Sequence, residues 1–169
     1  MDTIFTGKIF KVVKKFITSE SGEQLERHVV EHPGAVGILP ILPDGRIVLI
    51  RQHRIAVEED LIELPAGTME PGEAPIITAR RELLEETGYR ANELTPLLKF
   101  YPSPGFVKEE MHLFKATGLT AGPTAQEDDE KIEVILTTLP KAIKMIHSGE
   151  IRDAKTIIGL LWYSQQGEQ

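Results

Sequence analysis

Short apolar runs separated by turn residues make up most of this chain, and only three stretches carry helical periodicity. Residues 7–18 (GKIFKVVKKFIT) and 25–30 (LERHVV) read as strands joined through the polar turn Ser19, Glu20, Ser21 and Gly22, a hairpin that precedes the body of the protein as a small outlying sheet. Next, VGILPIL and RIVLI flank Asp44-Gly45, a strong hairpin signal because both turn residues tolerate positive φ. A short strand at Leu61 to Leu64 leads into a loop at Gly67. Further strands are predicted at 96–101 (PLLKFY), 111–117 (MHLFKAT) and 132–138 (IEVILTT), with an acidic connection from Gly118 to Lys131. The helical stretches are 74–87, 140–147 and 153–165. Strands before, around and after one central helix, without regular βαβ alternation, predict an α+β fold on a mixed sheet rather than a doubly wound one.

The central helix is well punctuated. Pro71-Gly72 ends the preceding turn, Pro75 lies near the first helical position, and Gly88 suits the left-handed C-terminal position. At about 100° per residue, Glu82, Glu85 and Glu86 share one arc, and Ile76, Ile77, Leu83 and Leu84 are expected on the opposite, packed side. Carboxylates so close repel one another. Their concentration on one turn therefore suggests a hard cation, and oxygen-only donors suit Mg²⁺ or Mn²⁺. Such a cation neutralises phosphate oxygens and lowers the pKa of water, the requirements for cutting a phosphate anhydride. Arg81, beside the acidic arc, is placed to orient a glutamate by bidentate contact.

With 169 residues, 41% hydrophobic and 27% charged, the chain has material for one compact domain with a sizeable core. A net charge of -7 repels polyanions, and no basic run with interleaved aromatics is present, so nucleic acid is not an expected partner. The lack of cysteine excludes disulfides, thiolate catalysis and Cys-ligated zinc. MDTIFTGKIFKVVKK shows no positive leader followed by an apolar segment, and no run approaches a membrane span. A cytoplasmic protein with no membrane partner is the expectation.

Gly67, five residues, Glu73, seven residues, then Arg81-Glu82-Leu83-x-Glu85-Glu86-x-Gly88-Tyr89 resembles a complete Nudix box. Tyr89 is the one departure, at a position where the family usually carries an aliphatic residue. The resemblance implies the Nudix α/β/α sandwich and hydrolysis of a nucleoside diphosphate linked to another moiety. It makes Glu82 and Glu86 the principal metal ligands, Glu85 a further ligand or its support, and the Ala66 carbonyl a backbone ligand, with Arg81 and Glu73 as supports. A solvated amphipathic face with ordinary Glu/Arg pairing is the plainer reading of the same helix.

Around the box, LIELPAG, the stretch Arg51-Gln52-His53-Arg54 and the turn Tyr101-Pro102-Ser103-Pro104-Gly105 resemble the ADP-ribose pyrophosphatase branch of the family. Arg54 is then a candidate for the pyrophosphate oxygens, and Arg51 for substrate or an intersubunit ion pair. Glu63 is either an acceptor for a ribose hydroxyl or adenine amine, or an outward-facing strand residue. Ser103, Gly105 and Glu109 are candidates to shape the terminal-ribose pocket, although turn formation alone accounts for the prolines and glycine. Related enzymes carry a catalytic glutamate in a loop corresponding to Gln126–Glu130, and register favours Glu130 as the base, with Glu127 second.

The resulting expectation is Mg²⁺-dependent hydrolysis of ADP-ribose to AMP and ribose 5-phosphate. Two alternatives accompany it: a broader nucleoside-diphosphate-sugar or dinucleotide hydrolase, and a non-catalytic ligand-binding regulator. The resemblance also implies a homodimer, with residues 1–34 as a dimerising hairpin region and 35–169 as the hydrolase domain.

Overall fold

The computed structural model describes residues 2–122 and 132–166. Its N-terminal segment forms β1 (Thr3–Thr6), β2 (Lys11–Thr18) and β3 (Gln24–Glu31). β2 and β3 make an antiparallel hairpin whose turn closes with the Gly22 amide donating to the Ser19 carbonyl at 2.9 Å, Gly22 itself lying at φ 85°. The run from residue 7 is not the single strand expected. A turn in which the Gly7 amide donates to the Phe10 carbonyl (2.8 Å) breaks it, and β1 folds back antiparallel on β2.

The body follows as β4 (Ala35–Pro40), β5 (Ile47–Arg54), β6 (Glu59–Glu63), β7 (Ala66–Thr68), α1 (Pro75–Thr87), β8 (Tyr89–Phe100), β9 (Val107–Lys108), β10 (Met111–Ala121), β11 (Ile132–Thr137), α2 (Leu139–His147) and α3 (Ala154–Gln165). One sheet runs β7-β4-β10-β8, with β4 and β10 parallel and the other pairs antiparallel. A second, antiparallel throughout, runs β11-β5-β6. The N-terminal hairpin joins the body through β9, which pairs parallel with β3. The fold is thus mixed α and β, as the element order predicts. Among the described residues, no helix is long and apolar enough to cross a membrane.

Alternation along the central strands sorts the core into two layers. Val36, Ile38 and Val48 pack with Ala79 and Leu83 of α1, whereas Leu39, Ile47 and Leu49 pack with Ala142, Met145, Ile151 and Leu160 on the side of α2 and α3. Strand side chains point alternately to the two faces, so each strand serves both layers. Each such buried aliphatic side chain contributes roughly 1.5–3 kcal/mol. The sheets are therefore sandwiched between α1 and the α2–α3 pair.

Several elements differ from expectation because pairing overrides local signals. β8 begins at Tyr89 rather than 96, and β10 runs on through Gly118 to Ala121, where Leu119 faces Ala91 and Ala121 faces Tyr89. Gly118, a breaker in the sequence, is absorbed at φ 64° beside Asn92. The packed face of α1 also differs. Ile76 and Ile77 are 38% and 53% exposed, and Thr78, Ala79, Leu83, Glu86 and Thr87 are buried instead. The acidic arc overlaps the core-facing side of the helix rather than lying opposite it.

Candidate active site

That overlap sets the geometry of the site. α1 starts at Pro75 and ends where Gly88 takes φ 72° and its amide donates to the Leu84 carbonyl at 2.8 Å, so the last turn carries Glu82, Glu85 and Glu86 at a fixed height. Across from this turn, β7 presents bare backbone. The Ala66 amide donates to Glu86 Oε2 at 2.8 Å, and Glu86 is only 4% exposed. Gly67 lies against Glu82: a Cβ there would fall 1.9 Å from Glu82 Cδ and Oε1. Only glycine leaves that space free.

Arg81 collects the neighbouring acids. Its Nη1 donates to Glu82 Oε1 (2.7 Å) and Glu85 Oε2 (3.0 Å), while Nε and Nη2 approach Glu73 at 3.4 and 3.3 Å. Partial burial works against its charge, but the bonds to Glu73 and Glu85 and the charge of Glu82 outweigh it and hold the guanidinium above its ordinary value. Conversely, Arg81 holds the Glu73 carboxyl below its own.

Next to the helix turn is a second cluster. Arg54, at the end of β5, donates through Nε and Nη2 to the two oxygens of Glu63 at 2.8 and 2.7 Å, a bidentate pair. Glu63 closes β6 and is 1% exposed. Lys155 Nζ, from the first turn of α3, also donates to Glu63 Oε2 and lies 3.2 Å from Asp153 Oδ1. Burial pushes the Glu63 carboxyl up, and Arg54 and Lys155 together pull it below the ordinary range. Arg54 is held above its usual value by Glu63, with Glu86 and Asp153 adding to the effect. Glu63, expected either to accept from substrate or to face outward, is instead a buried anion with both oxygens engaged by the protein's own cations.

Residues 31–158 match the NUDIX domain family. The chain belongs to the Nudix family. It is 41% identical over 157 residues to an ADP-ribose pyrophosphatase of Bacillus subtilis (strain 168), covering 92% of this chain and 85% of that one. It is 37% identical over 167 residues to a methanol dehydrogenase activator of Bacillus methanolicus, covering 98% and 90%. A solved structure described as an ADP compounds hydrolase superposes with a TM-score of 0.85 at 24% identity, over 98% of this chain and 90% of that one, and so shares the fold. The Nudix resemblance and the expected enzyme class, a Nudix pyrophosphatase, are thereby borne out.

Within this Nudix fold, no three His, Asp or Glu side chains of the described residues converge as a finished metal cage, because Glu82 and Glu85 turn to Arg81 and Glu86 turns to the Ala66 amide. The donor set still fits a hard divalent cation. Glu82 and Glu86 lie against β7, where Gly67 makes room for the Glu82 carboxylate, and Glu85 stands on the same helix turn, so the candidate donors are all oxygen.

The remaining candidates lie on other elements. Arg51 pairs across strands with Glu133 (3.7 Å), both exposed. The Ser103 carbonyl accepts from the Val107 amide at 3.0 Å, and Gly105 lines a small pocket with Tyr101, Pro104 and Phe106 beside Val29. Glu109 Oε1 sits 3.8 Å from His32 Nδ1. Glu127 and Glu130 lie outside the described residues. Lys155 and Asp153 escaped the sequence reading. Their signal was a lysine in the first turn of a helix, where the dipole disfavours a cation, two residues after an N-capping aspartate.

Proposed function

We propose that the protein hydrolyses the pyrophosphate of ADP-ribose to AMP and ribose 5-phosphate in the cytoplasm, with Mg²⁺ or Mn²⁺ as cofactor. One observation carries this reading. The Glu82–Glu86 turn, cradled by Gly67, has a fixed arginine beside it, Arg54, held by Glu63 and within reach of the charge of Glu86. Carboxylates for a cation and a guanidinium for phosphate oxygens stand side by side, the arrangement a pyrophosphate needs. The 41% identity to an ADP-ribose pyrophosphatase supports the choice of substrate.

Glu82, Glu86, Glu85 and the Ala66 carbonyl would hold the divalent cation. When bound, it supplies charge neutralisation at the anhydride and acidifies water. Arg81 gathers Glu82 and Glu85 through its Nη1. Arg54, fixed by Glu63, receives the pyrophosphate oxygens. Arg51 flanks the same strand end, and Ser103, Gly105 and Glu109 bound the terminal ribose. Glu130, or failing it Glu127, takes the proton from water as its oxygen bonds to phosphorus and the anhydride P–O bond breaks. Residues 1–34 act as a dimerising region, a reading supported by the exposure of Ile4, Phe5, Phe16 and Ile17 on the N-terminal sheet. Sedimentation should give a homodimer at micromolar concentration, and a monomer would remove that part of the proposal.

The test is to incubate the protein and Mg²⁺ with ADP-ribose, NADH, a GDP-sugar and a diadenosine compound and to identify the products. AMP and ribose 5-phosphate, formed fastest from ADP-ribose, are expected. Faster cleavage of another member of the panel would make the protein a broader nucleoside-diphosphate hydrolase. Binding without cleavage of any would make it a regulator, a reading to which the similarity with an activator protein lends some support.

A further inference from the structure

The N-terminus of α3 reaches across the sandwich to two consecutive residues at the end of β6. Thr156 Oγ1 accepts from the Leu64 amide at 2.7 Å, and Lys155 Nζ bonds Glu63, each contact linking positions 92 residues apart. Asp153 organises both arms. Its Oδ2 accepts from the Thr156 amide (3.0 Å) and Thr156 Oγ1 (2.6 Å), and its Oδ1 faces Lys155 Nζ at 3.2 Å. Lys155 is itself buried, at 9% exposure.

A buried lysine is costly unless its charge is matched. Here the match does more than satisfy the lysine. Glu63 Oε2 accepts from both Arg54 Nη2 and Lys155 Nζ, and the two cations together draw the carboxyl below its ordinary range against the effect of burial. Lys155 pins the oxygen to which Arg54 Nη2 donates and so fixes the orientation of the carboxylate. Arg54 is then held by Nε and Nη2 against a rigid anion, next to the carboxylate turn.

We infer that Lys155 is a positioning residue for pyrophosphate recognition: through Glu63 it fixes the guanidinium of Arg54, without touching substrate itself. This rests on the reading of Arg54 as the phosphate-binding group. A loosened Arg54 lowers affinity for the anhydride while the helix carboxylates remain in place, so the effect falls on KM more than on kcat.

The experiment compares Lys155→Met, Lys155→Arg, Arg54→Ala and the double variant Lys155→Met/Arg54→Ala, with ADP-ribose at saturating Mg²⁺. Arg54→Ala should raise KM about tenfold or more, Lys155→Met should raise it by a similar factor with kcat within about threefold, and the double variant should match Arg54→Ala alone, since groups acting through one contact are not additive. Lys155→Arg should recover most of the wild-type KM. If Lys155→Met does not fold, Lys155→Gln, which keeps a donor but not the charge, takes its place. A raised KM in Arg54→Ala with an unchanged KM in the Lys155 variant overturns the inference and leaves the reading of Arg54 standing. Fully multiplicative effects in the double variant overturn it likewise. An unchanged KM in Arg54→Ala overturns that reading and the inference with it.

Discussion

The carboxylate of Glu82 rests against the α-carbon of Gly67 so closely that a single added carbon would overlap it at 1.9 Å. Gly67 pairs with Val36 as part of β7, and α1 is anchored by Ala79 and Leu83, so neither backbone has room to retreat. The side chain of Glu82 must move instead.

Gly67→Ala is therefore expected to leave the fold intact and to damage turnover. Displacement of a catalytic group by about 1 Å costs on the order of 100-fold in rate, and that is the expected fall in kcat/KM. Circular dichroism should remain native-like while steady-state kinetics with ADP-ribose record the loss. Activity within a few-fold of wild type would show that the position of Glu82 is not critical.

Arg81 is the shared counter-ion of Glu73, Glu82 and Glu85. Its removal leaves those carboxylates facing one another, a situation a divalent cation relieves. Arg81→Ala should therefore lower Tm in metal-free buffer and gain more from added Mg²⁺ than the wild type does, with turnover down about tenfold or more. Arg81→Lys keeps a charge but not the forked geometry and should fall between. Differential scanning with and without Mg²⁺ measures both effects. An equal Mg²⁺ shift in wild type and Arg81→Ala would separate Arg81 from the cation site.

Gly67, Glu73 and the Arg81–Glu86 cluster were legible in the sequence because their spacing alone brings them to one helix turn and one adjoining loop. The mixed sheet followed similarly from the order of apolar runs. What periodicity misjudged was the direction of α1. Ile76 and Ile77 stay 38% and 53% exposed, and the buried side is set by Thr78, Ala79 and Leu83, with Glu86 admitted because the Ala66 amide meets it. The contact between Lys155 and Glu63 was beyond reach for another reason. They are 92 residues apart, and a one-dimensional pattern carries no sign that a helix start will meet a strand end. The same holds for β9 and the second half of β10, which owe their strand character to partners rather than to their own residues.

Glu82→Gln and Glu86→Gln keep side-chain volume and an acceptor oxygen, so both should fold. Loss of negative charge at the cation site should reduce turnover to background in each, with Mg²⁺ binding weakened by about tenfold or more. Glu130→Gln should lower kcat and spare Mg²⁺ affinity, as removal of a general base does, typically by about 100-fold or more. Calorimetric titration of Mg²⁺ alongside kinetics distinguishes the two patterns. Retained turnover in Glu82→Gln or Glu86→Gln would remove that residue from the ligand set, and a near-normal rate in Glu130→Gln would move the base to Glu127.

Glu63 gives the molecule a defined sensitivity to acid. Its carboxyl lies below the ordinary value of 4.5 in the folded protein, because Arg54 and Lys155 overcome the effect of burial. The unfolded chain therefore takes up a proton at this residue before the folded one does. The stabilising contribution is fully present above about pH 4.5 and disappears as pH falls through the lower, folded value. Glu63→Gln breaks the buried cluster, leaving Arg54 without its anion and Lys155 with Asp153 alone, which should cost about 3 kcal/mol at pH 7. The stability gap between wild type and Glu63→Gln, read from urea unfolding, should hold steady from pH 7 to 5 and narrow as pH drops below about 4.5. A gap that stays constant to pH 3 would mean that ionised Glu63 contributes no more to the folded state than its neutral replacement.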